Sequence, residues 1–173
     1  MEQVILVDEH DRTIGSEEKL SAHLAGKLHR AISVFIFNKS GELLLQQRAL
    51  SKYHSGGLWS NTSCGHPRPG ETPLEAASRR LYEEMGIRAP LKKILEFTYR
   101  VELDNQITEH EIDHVFIGEF DAEFQVNPTE VSAWKWMQLE ALQKDILDNS
   151  NNYTFWFKLL LPQILAKTTK NIF

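Results

Sequence analysis

Gly65-His66-Pro67-Arg68-Pro69-Gly70-Glu71 leads through Thr72 and Pro73 into Arg79-Arg80-Leu81-Tyr82-Glu83-Glu84-Met85-Gly86, and this stretch decides how the chain is read. Its second half predicts a helix. Thr72 and Glu75 have capping-box spacing, Pro73 suits the first helical position, where an N–H would go unused, and Gly86 suits the end. Leu74, Ala77, Leu81 and Met85 share one apolar face. Arg79 with Glu83 and Arg80 with Glu84 are four residues apart, so a solvated face of ion pairs is the plain alternative for these charges. An ordinary solvated helix needs neither the flanking glycines nor Glu71, and together these point to a loop and helix that handle a ligand.

Outward from this helix the pattern alternates strand and helix. Val4 to Val7 predicts a short strand and Asp8 to Ser16 a turn or loop. Ile32 to Phe37 and Leu43 to Gln47 form a hairpin around Asn38-Lys39-Ser40-Gly41. Ala49 to Pro69, rich in Gly, Pro and Ser, is read as irregular loop with one short strand near Trp59 to Ser63. Strands are expected at Ile94 to Val101, His114 to Phe120 and Ala133 to Met137, and helices at Leu139 to Leu147 and Phe155 to Ala166. The sum is an α+β chain, a mixed α/β sandwich.

The 173 residues fit one domain, 1–173. With 42% hydrophobic and 25% charged residues the composition is that of a globular protein. No apolar run reaches the roughly 18 residues of a membrane span, and the start lacks a basic region followed by an apolar stretch, so a cytoplasmic location is expected. The single cysteine, Cys64, cannot form an intramolecular disulfide. A net charge of −5 argues against nucleic-acid binding but leaves room for a small anionic substrate where basic residues cluster. No G-x-G dinucleotide fingerprint calls for a flavin or nicotinamide.

The spacing from Gly65 to Gly86 resembles the Nudix signature, whose loop–helix–loop presents carboxylates to Mg²⁺, and it implies a Nudix-type α/β/α sandwich with a mixed sheet. The chain departs from Nudix hydrolases at Arg80, where they carry Glu after the first Arg. A wider pattern resembles the type I isopentenyl-diphosphate isomerases from Val4 to about Leu142. It includes Lys19-Leu20-Ser21-Ala22-His23, Leu28-His29-Arg30, Arg48-Ala49-Leu50-Ser51-Lys52, Trp59 to His66, Phe97-Thr98-Tyr99-Arg100 and Glu109-His110-Glu111. The resemblance implies that His23, His29, His66, Glu109 and Glu111 bind one divalent ion, Mn²⁺, Mg²⁺ or Zn²⁺, in an octahedral site. Imidazole with carboxylate suits such ions, and Glu109 and Glu111, two apart on an extended strand, point to one face. Any one of these residues alone is ordinary surface decoration; only their joint order carries weight. His10, His54, His110 and His114 match no ligand position and are read as structural or exposed.

The implied substrate is isopentenyl diphosphate, converted to dimethylallyl diphosphate by gain and loss of a proton through a tertiary carbocation. The resemblance assigns the proton transfers to Cys64 and Glu111, with Tyr99 hydrogen-bonded to Glu111. It places Trp156 where an aromatic face would stabilise the cation; a core aromatic is the equal alternative. Lys19, Arg48, Lys52 and Arg80 would hold the diphosphate, helped by Mg²⁺ on Glu84 and the backbone oxygen of Cys64, although each of the four could be an ordinary exposed cation. The implied partner is this small diphosphate alone, in a monomer or homodimer. A Nudix hydrolase of nucleoside diphosphates and a non-catalytic metal- or diphosphate-binding module stand as the other readings; Arg80 and Cys64 weigh against the first, Cys64 and Glu111 against the second.

Overall fold

The structure, a computed structural model, describes residues 2–52, 54–103 and 106–168. A nine-stranded mixed sheet is built around β3 (His29–Phe37), whose near-unbroken apolar and β-branched run fits a strand buried on both faces. β8 (Thr108–Glu119) lies parallel to β3 on one edge, with β7 (Lys92–Glu102) antiparallel beyond it. On its other edge β3 pairs antiparallel, in turn, with β1 (Gln3–Val7) at His29, β6 (Ser63–Gly65) at Ile32 to Val34, and β4 (Leu43–Arg48) at Phe37. β2 (Thr13–Glu18) edges β1, while β5 (Trp59–Ser60) and β9 (Val131–Met137) flank β4.

The strand period of two divides β3 between two cores. Ile32, Val34 and Ile36 meet α2 (Pro73–Met85) through Ala76, Ala77, Leu81 and Met85. Phe35 and Phe37 turn the other way, to α3 (Leu139–Asp148) and α4 (Phe155–Thr168) through Leu142, Phe157, Leu160 and Ile164. The architecture is thus the α/β/α sandwich of an α+β fold. α4 is apolar nearly all round, as a helix set deep against a sheet must be.

α2 matches its sequence signals. Thr72 and Glu75 form both halves of the capping box, and Gly86 closes the helix at φ 70°. Its buried face differs from the expected one: Leu74 is 47% exposed, while Ala76 and even Glu84, 3% exposed, are buried. Two other expectations are corrected, and one element was not foreseen. Thr13–Glu18 is a strand rather than loop, an edge strand exposed along most of its length and so without apolar alternation. Lys19–Leu24 forms a short helix, α1, capped by the Glu18 side chain at Ser21 N. β8 begins at Thr108, six residues before the expected start, because its first half carries ionisable residues at Glu109, Glu111 and Asp113. Among the described residues no helix is long and apolar enough to cross a membrane.

Candidate active site

β3 and β8 bring the ligand candidates together by register. His29 stands beside Glu111 on the parallel strand, so both side chains leave the same face. Glu109 precedes Glu111 by one period of two. α1 adds His23, and the turn after β6 adds His66. His23, His29, His66 and Glu111, all buried, offer atoms within 4.8 Å of one another. Glu111 Oε1 lies 2.8 Å from His66 Nε2, 3.3 Å from His29 Nε2 and 4.0 Å from His23 Nε2. Glu109 borders the group through its Oε2, 3.6 Å from His23 Nε2.

These residues fit a divalent cation. The backbone oxygens of Lys19 and Lys27 accept hydrogen bonds from Nδ1 of His23 at 2.7 Å and of His29 at 2.8 Å. Nδ1 therefore carries the proton in both rings, and Nε2 turns a lone pair toward the centre, the arrangement usual for metal-binding histidines. His29 Nε2 is buried without a hydrogen bond. Ligand atoms each about 2.1 Å from one ion stand about 3 Å apart at neighbouring positions, close to the separations around Glu111 Oε1. Burial foremost, then Lys19 and the neighbouring imidazoles, hold His66 well below the usual range and keep it neutral. Burial also works against a charged His23, but Glu109 and Glu111 outweigh it and raise its pKa.

The cage opens into a cavity of about 110 Å³ that reaches α2 and α4. Cys64 sits opposite Ser33 on β6, so its side chain shares a face with Ser33 and His29. Burial and the Glu84 carboxylate push the Cys64 thiol up to about 12, against Arg48 and Arg80. It is therefore protonated at neutral pH. Burial would raise Glu111 as well, but the neighbouring His29 and the hydrogen bond from Tyr99 bring it below the usual carboxylate range. Tyr99 pairs with Glu111 across β7 and β8 and donates to its Oε2 at 2.6 Å. Burial and Glu111 hold the Tyr99 phenol well above its usual range, so it keeps the proton it donates. Trp156, in the first turn of α4, belongs to the core and also lines the cavity, with the Arg48 guanidinium 5.2 Å from its ring centroid.

The four basic candidates all line the same cavity, each near a carboxylate or the aromatic ring. Lys19 Nζ lies 3.1 Å from Glu2, and Lys52 Nζ lies 2.5 Å from Glu130. Arg80 meets Glu83, Glu84 and Glu130 at 2.8, 2.5 and 2.8 Å, and its Nε donates to the Cys64 carbonyl at 3.4 Å. Burial opposes its charge, yet Glu84 and Glu130 raise its pKa further. Gly65 permits this approach: a Cβ there would come within 2.9 Å of Arg80 Nε. Arg80 thus bridges Glu84 and the Cys64 carbonyl, the two groups paired in sequence as Mg²⁺ ligands.

Glu2, Gln46, His54 and Glu130 also line the cavity and were not foreseen. No local motif marks them; folding alone carries them there. His54, set aside in sequence as structural or exposed, lies 3.2 Å from Glu109. Burial, with Arg48 and His23, lowers its pKa to about 4. His114 belongs to a separate cluster, 3.0 Å from Asp11 and 3.7 Å from Glu96. Arg30 pairs with Asp11 and Lys93 with Glu96, so the carboxylates of that cluster already have cations. His110 meets the Gly26 carbonyl at 3.0 Å, and His10 is exposed.

Comparison with known proteins accounts for this combination. The NUDIX domain family matches residues 27–157. Isopentenyl-diphosphate Delta-isomerase 2 of Aromatoleum aromaticum is 48% identical over 98% of this chain and 90% of that protein. The isopentenyl-diphosphate Delta-isomerase of Pectobacterium atrosepticum is 51% identical over 94% and 90% respectively. Among solved structures, DR0079 from Deinococcus radiodurans superposes with a TM-score of 0.72 at 23% identity, covering 86% of this chain and 90% of that one. The MutT protein from Methanosarcina mazei superposes with a TM-score of 0.66 at 22% identity, covering 82% and 95%. At such identities these structures speak for the fold alone. The chain belongs to the Nudix superfamily and, within it, to the isopentenyl-diphosphate Delta-isomerases.

Proposed function

We propose that Cys64 and Glu111 carry the two proton transfers by which this isomerase interconverts isopentenyl and dimethylallyl diphosphate. The observation that carries this reading is their placement in one cavity with opposite resting states, a protonated thiol and an ionised carboxylate. One group can give a proton to the alkene while the other takes one from the adjacent carbon. Tyr99 fixes the Glu111 carboxylate by its hydrogen bond. Trp156 offers a ring face to the tertiary cation, an interaction worth about 2 kcal/mol or more in a dry site. Its buried setting between α4 and the sheet favours exclusion of the water that would trap the cation as an alcohol.

His23, His29, His66, Glu109 and Glu111 would hold one divalent ion, Mn²⁺, Mg²⁺ or Zn²⁺, with Glu84 and the Cys64 backbone oxygen holding Mg²⁺ beside the diphosphate. When bound, these ions supply positive charge that fixes carboxylates and neutralises phosphate oxygens. Lys19, Arg48, Lys52 and Arg80 bind the diphosphate, which competes with Glu2 and Glu130 for their donors. The planar fork of arginine suits phosphate oxygens. This accords with a single catalytic domain over residues 1–173, working in the cytoplasm as a monomer or homodimer on a small diphosphate.

Cys64→Ser tests the reading, because a hydroxyl keeps the shape and exchanges protons far less readily. General acid–base steps contribute about 10²–10⁴-fold, so turnover of isopentenyl diphosphate should fall by at least about a hundredfold while metal content and substrate binding persist. A variant working within a few-fold of the parent would remove Cys64 from the mechanism.

A further inference from the structure

His54 stands at the rim of the metal cage on the loop between β4 and β5. Its Nε2 lies 3.2 Å from Glu109 Oε1, while the other oxygen, Oε2, faces His23. The two oxygens of Glu109 are thus divided between an outer and an inner imidazole. His54 Nδ1 is 3.3 Å from Ser55 Oγ. If that hydroxyl donates to Nδ1, the ring proton sits on Nε2 and points at Glu109. The His54 ring meets Trp156 edge-on, with centroids 5.9 Å apart at 76°, and its backbone oxygen accepts from Arg48 Nη2 at 3.3 Å.

The loop is fixed at its base. Arg48 N donates to the Leu58 oxygen and Gly57 N to the Arg48 oxygen, each at 2.9 Å. Ser55 and Gly57 both take positive φ, at 52° and 78°. A non-glycine residue held in that region has been constrained by its surroundings, and Ser55 directly follows His54 in the chain.

We propose that His54 is a positioning residue: it holds Glu109 Oε1 so that Oε2 is presented to the cage, and it ties the metal end of the site to the Trp156 ring. This rests on the cage reading given above. Carboxylate ligands are commonly oriented by an outer hydrogen bond whose loss costs about 10–100-fold in metal affinity.

The test measures Mn²⁺ and Zn²⁺ affinity by chelator competition, with metal stoichiometry by elemental analysis and the melting temperature of the metal-free protein, for the parent, His54→Ala, His54→Gln and His66→Ala. His54→Ala is expected to bind one ion at saturation with affinity reduced about 10–100-fold, and with the metal-free melting temperature unchanged. His54→Gln, whose amide can donate to Glu109, should recover most of that loss. Parent-like affinity in His54→Ala would overturn the proposal, as would a His54→Gln no better than His54→Ala. Failure of His54→Ala to bind any ion at saturation would make His54 itself a ligand and also overturn it. A His66→Ala variant binding like the parent would instead overturn the cage reading, and the proposal with it.

Discussion

Asp113, two residues beyond Glu111 on β8, is a buried carboxyl whose charge is set by its surroundings. Its Oδ2 accepts from Ser33 Oγ at 2.7 Å, and its Oδ1 is buried without a hydrogen bond. Burial, then the charge of Glu111, raises its pKa from 3.8 to about 8. In the folded protein the carboxyl holds a proton that the unfolded chain releases. Its contribution to stability is full below 3.8, declines as pH rises through the window to about 8, and is lowest beyond. Asp113→Asn keeps an uncharged polar group there at every pH. In EDTA-treated protein, the stability of Asp113→Asn relative to the parent should therefore improve between about pH 5 and about pH 8, by at most about 1.4 kcal/mol per pH unit. Urea denaturation at the two pH values measures this. A difference that stays flat would mean that Asp113 is ionised when folded.

At the scale of elements, α2 is held at its two ends by different physics, and the two ends can be weighed against each other. Thr72 Oγ1 accepts from Glu75 N at 3.3 Å, and Thr72 N donates to the Glu75 carboxylate at 2.8 Å. Thr72→Ala removes one side of that box and should cost about 1 kcal/mol. Gly86 has φ 70°, and a Cβ there would stand 2.4 Å from the Gln125 backbone oxygen. Gly86→Ala would add about 1–2 kcal/mol for the left-handed backbone to a clash that no side-chain motion relieves. It should be the more destabilising of the pair by denaturant titration. Equal or reversed costs would show that the loop around Gln125 yields easily.

For the whole molecule, the cage ties α1, β3, β8 and the turn after β6 into one unit. Three buried imidazoles and a buried carboxylate converge there. An ion that binds only the folded state stabilises it by about 2.7 kcal/mol at a hundred times its Kd. Removing divalent ions with EDTA should thus lower the melting temperature, and adding back Mn²⁺ or Zn²⁺ should restore it in a concentration-dependent way. His66→Ala should lose most of that response. A parent melting temperature indifferent to EDTA, in calorimetry on metal-loaded protein, would count against a structural contribution from the cage.

By itself the sequence determined what local physics encodes: the cap and end of α2, the β3–β4 hairpin, the apolar α4, and, through family resemblance, the ligand and catalytic candidates from His23 to Trp156. Thr72, Pro73 and Gly86 act on their own backbone, so their meaning is legible in place. The start of β8 was set too late because Glu109, Glu111 and Asp113 break the apolar run that marks a buried strand, even though the spacing of Glu109 and Glu111 already suited an extended chain. β2 was hidden because an exposed edge strand needs no apolar alternation, and Leu74 was misplaced because helix periodicity does not say how far a face is covered. It takes the folded chain to show that Gly65 makes room for Arg80, that Glu130 joins Arg80 and Lys52, and that His54 reaches Glu109. Each of these contacts joins residues far apart in the chain, and their proximity follows from strand register and loop closure rather than from local sequence pattern.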